Sequence, residues 1–285
     1  MLSSVVLVAA LIAGAAEDYV AGPVETVAEG FQFTEGPVWV PKDGLIFSDI
    51  PADTIFKADK SVFRTPSGKS NGLNLDTKGR LIACEHWNRR VTRTEEDGSI
   101  TVLADSYDGK KLNSPNDVTV RSDGFFFFTD PPYGLEGREQ EQPCQGVYAL
   151  SPDGKLTRIA DDFIKPNGIG LSPDEKTLYV ADTEGNHIRA FDVAEDGSLS
   201  NGRVFCALPG PDGMAVDEKG NVWSTCGEGV QIFTPSGELV HTVETPQGPA
   251  NCAFGGEDGK TLYITARTGV YKVRCVNKGL FTKKD

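Results

Sequence analysis

The chain has 285 residues, 39% hydrophobic and 24% charged, with 32 Gly and 17 Pro. This is the composition of a folded, turn-rich protein, neither a disordered chain nor one built of membrane spans. Asp and Glu number 41 against 28 Lys and Arg, a formal net charge of −13. That charge repels a phosphate backbone and argues against nucleic acid as a partner, whereas acidic side chains gathered in one place favour a cation.

Residues 2–16 are almost all apolar or small, and they end in Ala13-Gly14-Ala15 ahead of Glu17-Asp18. The stretch is too short to span a bilayer comfortably, so it is expected to be an export signal, although no Lys or Arg precedes it. The expectation is an exported protein, periplasmic or secreted, with a single domain over 17–285 that ends in a short basic tail. No other apolar run approaches membrane length. Cys84, Cys144, Cys206, Cys226, Cys252 and Cys275 could pair in an oxidising compartment. Four of them (Cys84, Cys206, Cys226 and Cys252) sit in apolar strand-like runs, where a free thiol behaves as a small hydrophobe. No pairing is assigned.

After a spare strand at 24–28, one unit recurs along the chain. Its clearest part is a short apolar run: Leu45-Ile46-Phe47-Ser48-Asp49, then Leu81-Ile82-Ala83-Cys84-Glu85, then Phe126-Phe127-Phe128-Thr129-Asp130. It returns as Leu178-Tyr179-Val180-Ala181-Asp182, Val222-Trp223-Ser224-Thr225-Cys226 and Leu262-Tyr263-Ile264-Thr265-Ala266. These runs are rich in aromatic and β-branched residues and lie between turn residues, which predicts strands. A third strand follows each, and a fourth follows all but the last. The spare N-terminal strand would complete the sixth unit and remove an exposed edge. The predicted fold is all-β: a six-bladed β-propeller closed by an N-terminal strand joining the last blade.

The innermost strand of a blade lines the central channel. The six copies begin Thr34-Glu35-Gly36, Ser70-Asn71-Gly72, Pro115-Asn116-Asp117, Pro166-Asn167-Gly168, Pro211-Asp212-Gly213 and Ala250-Asn251-Cys252. Singly, Asn-Gly and Asp-Gly read as turns. Together they place an oxygen-bearing side chain at one register in every blade: Glu35, Asn71, Asn116, Asn167, Asp212 and Asn251. A closed ring brings these starts around one axis. An all-oxygen donor set suits a hard divalent cation, with calcium first and magnesium, manganese or zinc as alternatives. At the ends of the second strands, Asp49, Glu85, Asp130 and Asp182 form an expected second tier that orients the ring. His86, Trp87 and Tyr133 are expected on the lip, where a sugar-like substrate would sit. His187 and His241, in outer strands, are expected to be structural.

At this point the chain resembles the family that includes regucalcin (senescence marker protein) and bacterial gluconolactonases. The resemblance runs over about 25–275 and is carried by Thr34-Glu35-Gly36-Pro37, Asn113-Ser114-Pro115-Asn116-Asp117, Phe128-Thr129-Asp130-Pro131-Pro132-Tyr133-Gly134, Pro166-Asn167-Gly168 and Pro211-Asp212-Gly213-Met214. It implies a six-bladed propeller with one catalytic divalent metal held by Glu35, Asn116, Asn167 and Asp212. Asp212 would also be the general base in hydrolysis of a sugar lactone. Asn71, His86, Tyr133 and Asn251 would meet the substrate. Some members carry Arg two residues before the Asn at position 116; here that position is Ser114. Rival functions are a phosphotriesterase-like hydrolase on the same metal, a non-catalytic scaffold with a structural calcium, and a calcium buffer. No GxSxG elbow supports a serine nucleophile.

Overall fold

The computed structural model describes residues 18–280. The expected export signal and the last residues of the basic tail lie outside them. The six apolar runs become the second strands of six four-stranded antiparallel sheets, at Gly44–Asp49, Leu81–Glu85, Phe126–Asp130, Thr177–Asp182, Val222–Cys226 and Thr261–Ala266. Nearly every residue in them is buried. A second strand packs against neighbouring blades on both faces, which is why its sequence reads as a continuous apolar run rather than an alternation. The sheets are numbered here as blades 1 to 6 in that order.

Blade 6 takes its outer strand from the N-terminal side: Glu25–Glu29 pairs antiparallel with Gly269–Arg274, from Glu25 opposite Lys272 to Glu29 opposite Gly269, with a register shift between Thr26 and Ala28. The closure is the one expected. Trp39 of blade 1 stacks on Tyr263 of blade 6 at 5.7 Å between ring centroids and packs the seam. All six cysteines are free, and only Cys144 is not fully buried.

Two elements fall outside the repeat. A short hairpin, Ser106–Tyr107 with Lys110–Lys111, follows blade 2, and a single 3-10 turn, Tyr133–Leu135, follows the second strand of blade 3. The segment carrying that turn separates Phe126–Asp130 from Gly146–Leu150 and accounts for the long interval between Asn116 and Asn167. The chain after Cys275 is not merely a tail. Asn277 Nδ2 donates to Asp217 Oδ2 at 3.1 Å, and the Leu280 N–H donates to the Val216 carbonyl at 3.0 Å. Among the described residues no helix is long and apolar enough to cross a membrane.

Candidate active site at the channel mouth

The inner strands start at Thr34–Val40, Ser70–Leu75 and Pro166–Leu171 in blades 1, 2 and 4, and their pairing slips between Glu35 and Val38, Ser70 and Leu73, and Pro166 and Ile169. These slips are irregularities at the ring itself, of the kind that re-aims a side chain next to a site. Glu35, Asn71, Asn116, Asn167 and Asn251 are buried. Asp212 is only partly buried, so it is the ring carboxylate that water can reach.

Neighbouring blades are tied at this level by backbone carbonyls of ring residues. Ser48 Oγ donates to the Asn71 carbonyl at 2.8 Å, and Thr129 Oγ1 donates to the Asn167 carbonyl at 2.7 Å. Blades 2 and 4 have Cys84 and Ala181 in place of that hydroxyl. There a glycine N–H makes the tie: Gly72 to the Asn116 carbonyl at 2.8 Å, and Gly168 to the Asp212 carbonyl at 3.1 Å. Between blades 5 and 6 both devices act, because Gly213 N and Thr225 Oγ1 each donate to the Ala250 carbonyl at 2.8 Å. The ring glycines therefore serve close approach rather than turns. A Cβ on Gly168 would overlap the Asp212 carbonyl oxygen, and one on Gly72 would lie 2.5 Å from Asp117 Oδ1.

Asp117 is the ring residue that reading the donors one per blade misses. It occupies the position that is glycine in four of the other blades, and it places a third carboxylate in the ring. Burial, followed by the charges of Asp212 and Asp117, pushes Glu35 well above the ordinary carboxylate range. Burial pushes Asp117 up to about 7. Asp212 is likewise pushed up to about 7, chiefly by burial and also by Asp117, while the Asn167 amide and the Arg267 charge pull it down. The Asn251 amide donates toward both Glu35 and Asp117, so it is committed within the ring. Charge and hydrogen bonding thus couple Glu35, Asp117, Asn167, Asp212 and Asn251 to one another across the ring.

The supporting groups are specific. Asn167 Nδ2 donates to Thr183 Oγ1 at 3.1 Å, and that hydroxyl donates to the Pro211 carbonyl at 2.8 Å, so Thr183 couples Asn167 to the residue before Asp212. Tyr133 is exposed on the lip as expected, with its hydroxyl 3.5 Å from Asn167 Nδ2. His86 lies beneath the lip rather than on it, because Gly134 packs directly over its Cβ. Its Nε2 is 3.3 Å from Asn71 Nδ2, and burial lowers its pKa to about 4, so the ring is neutral at ordinary pH.

The second tier acts on the loops that feed the ring. Asp49 accepts from the Gln32 and Phe33 N–H groups at 3.0 and 2.9 Å, just before Glu35. Asp182 accepts from Ile164 and Lys165 at 2.9 and 2.8 Å, just before Asn167. Asp130 Oδ2 accepts from Asn113 at 2.7 Å, just before Asn116. Glu85 differs: it is held by Arg64, Arg90, Asn88 and Thr92. Ser114 ties the lip turn down, since its Oγ donates to the Pro131 carbonyl at 2.6 Å and accepts from the Gly134 N–H at 2.8 Å.

Among the described residues no three of His, Cys, Asp and Glu gather as a metal-ligand set. The ring is instead a mixture of carboxylate and amide oxygens, and Asn71 Oδ1 is buried with no hydrogen-bond partner. An unpaired buried acceptor, and carboxylates that burial and mutual repulsion drive toward protonation, are groups that a bound cation would satisfy.

Residues 33–268 match the SMP-30/Gluconolactonase/LRE-like region. The chain belongs to this family. A gluconolactonase of Zymomonas mobilis is 35% identical over 294 residues, covering 90% of this chain and 82% of its own. The structure of a gluconolactonase from Xanthomonas campestris superposes with a TM-score of 0.83 at 34% identity, covering 91% of this chain and 95% of its own. A calcium-binding regucalcin from Agrobacterium tumefaciens shares the fold, with a TM-score of 0.76 at 21% identity and coverage of 94% and 97%. Over the SMP-30/gluconolactonase match, the ring, the clamping carboxylates and Tyr133 all lie inside the matched span.

Proposed function

We propose that this chain hydrolyses a sugar lactone with the help of one divalent cation, calcium first, held by Glu35, Asn116, Asn167 and Asp212. The gluconolactonase relative supports the lactone as substrate class. The cluster of buried oxygen donors around an accessible Asp212 carries the rest. A bound cation would supply positive charge that polarises the lactone carbonyl and makes water more acidic.

The chain's own residues do the remainder. Burial and neighbouring carboxylates raise Glu35 well above the ordinary range despite hydrogen bonds from the Gly36 N–H and the Asn251 amide, so a cation would favour its charged form and it serves as anchor. Asn116 and Asn167 contribute neutral oxygens and leave positive charge uncancelled. Asp212 takes a proton from the attacking water, the ring C–O bond breaks, and the proton passes to the departing oxygen, giving a hydroxy acid. Asn71 and Tyr133 face the substrate, and neutral His86 holds the Asn71 amide in place. We also propose that the enzyme is exported, periplasmic or secreted, on the strength of the apolar stretch at residues 2–16.

Asp212→Asn tests the assignment. It keeps the shape and one oxygen but removes the base, so lactone hydrolysis should fall by about 10²–10⁴ while calcium still binds in equilibrium titration. Undiminished hydrolysis with the cation bound would show that another group activates water.

A further inference from the structure

The mouth of the channel carries basic side chains on an otherwise acidic protein. Lys69 and Lys165 stand immediately before Ser70-Asn71 and Pro166-Asn167, Arg138 lies on the lip beside Trp87, and Arg267 is on the turn between the second and third strands of blade 6. Three of the four are occupied. Lys69 pairs with Glu136 and Lys165 with Glu184, each at 2.6 Å. Arg138 donates to the Leu135, Trp87 and Gly134 carbonyls at 2.9, 2.6 and 2.7 Å. Glu228, on the corresponding turn of blade 5, is engaged by Gln231 Nε2 at 3.1 Å.

Arg267 is different. It is exposed, and its side chain has neither a hydrogen-bond acceptor nor a salt bridge among the described residues. Its place is nevertheless fixed. The backbone is in the left-handed region at φ 51, and its carbonyl accepts the Thr34 N–H at 2.8 Å, one residue from Glu35. The guanidinium lies over the Phe33 ring, 5.5 Å from the centroid, with Nε 3.9 Å from where a Gly248 Cβ would be. It therefore sits between the loops that feed Glu35 and Asn251, and its charge reaches Asp212. A positioned guanidinium with unfilled donors beside a reaction centre is a receptor for a planar or tetrahedral oxyanion, which it can engage through two N–H groups. On a chain of net charge −13, this one unpaired positive charge is a point to which an anion can be drawn.

We infer that Arg267 recognises an anionic substituent, a carboxylate or a phosphate, carried by the lactone away from its reacting carbonyl. This rests on the lactonase reading and names the substrate class within it. Lys69 and Lys165, neutralised by Glu136 and Glu184, leave Arg267 as the cation at the mouth with open donors.

The test compares three lactones on the calcium-loaded enzyme at low ionic strength: glucono-δ-lactone, its 6-phosphate, and the lactone bearing a 6-carboxylate. At least one anionic lactone should show kcat/KM about tenfold or more above the neutral one, through KM, with the advantage shrinking as salt is added. Whichever of the two leads identifies the oxyanion. Arg267→Gln should erase the advantage, and Arg267→Lys should restore part of it. In parallel, titration calorimetry of gluconate and of the dianion glucarate reads anion binding without turnover. Tighter glucarate binding that depends on Arg267 sustains the inference even if no lactone is hydrolysed, in which case the lactonase reading fails alone. Turnover with no preference for an anionic lactone, or an Arg267→Gln loss equal for neutral and anionic substrates, overturns the inference and leaves the lactonase reading intact.

Discussion

The Thr129 hydroxyl crosses a blade boundary and donates to the Asn167 carbonyl at 2.7 Å, so a second-strand residue of blade 3 fixes a ring donor of blade 4. Both groups are buried, and no ring glycine can substitute here because Asp117 occupies that position. Thr129→Val keeps the shape and strands the carbonyl. The expected cost is about 1–3 kcal/mol of stability, the penalty for a buried unsatisfied acceptor. Calcium affinity should weaken alongside, as Asn167 loses its tether. Urea unfolding with and without calcium measures both; an unchanged midpoint would mean the tie contributes nothing.

The ring was legible because it repeats: six oxygen donors at one register cannot all be turns, and the second strands betray themselves by unbroken apolar runs. The ties between blades were not legible on the same terms. Ser48, Thr129 and Thr225, which make them, look like ordinary strand residues one at a time, and only stacking the six copies shows a hydroxyl column that continues at Thr265 and is broken by Cys84 and Ala181. Asp117 was hidden for the opposite reason. It sits beside a donor already chosen, in a column otherwise read as turn glycine, and nothing local says that its side chain turns into the ring. His86 was misplaced because strand-end position does not reveal that Gly134 covers it. The cationic Arg267 lies on a turn of the last blade, far in sequence from every motif that defines the family resemblance.

The ring also sets a pH dependence. Asp117 and Asp212 titrate near about 7 in the fold against an ordinary 3.8, and Glu35 is displaced in the same direction. A carboxyl whose pKa is raised by folding favours the folded state while protonated. The contribution is complete below the unfolded value near 3.8 and is lost as pH rises through about 7. Metal-free protein should therefore melt at progressively lower temperature from pH 5 to pH 8. Calcium should raise the melting temperature far more at pH 8 than at pH 5, since protons compete for the same oxygens. Thermal scans in chelator and in calcium check this; a metal-free protein that grows more stable toward pH 8 contradicts the electrostatic account of the ring.

Asp117 separates stability from cation binding. Its carboxylate raises both Glu35 and Asp212 by repulsion, and its hydrogen bonds come from the Val118 and Ile169 N–H groups and the Asn251 amide. Asp117→Asn removes the repulsion at nearly constant shape. In chelator at pH 8 the variant should melt above the wild type, because one fewer buried charge must be accommodated. In calcium the order should reverse, with affinity lowered about tenfold or more as the ring loses one of three negative charges. A structural Asp117 that only satisfies backbone N–H groups predicts destabilisation in both conditions, because the amide that replaces it accepts those bonds less strongly. The sign of the change in chelator therefore decides whether the third carboxylate belongs to the cation site or to the scaffold around it.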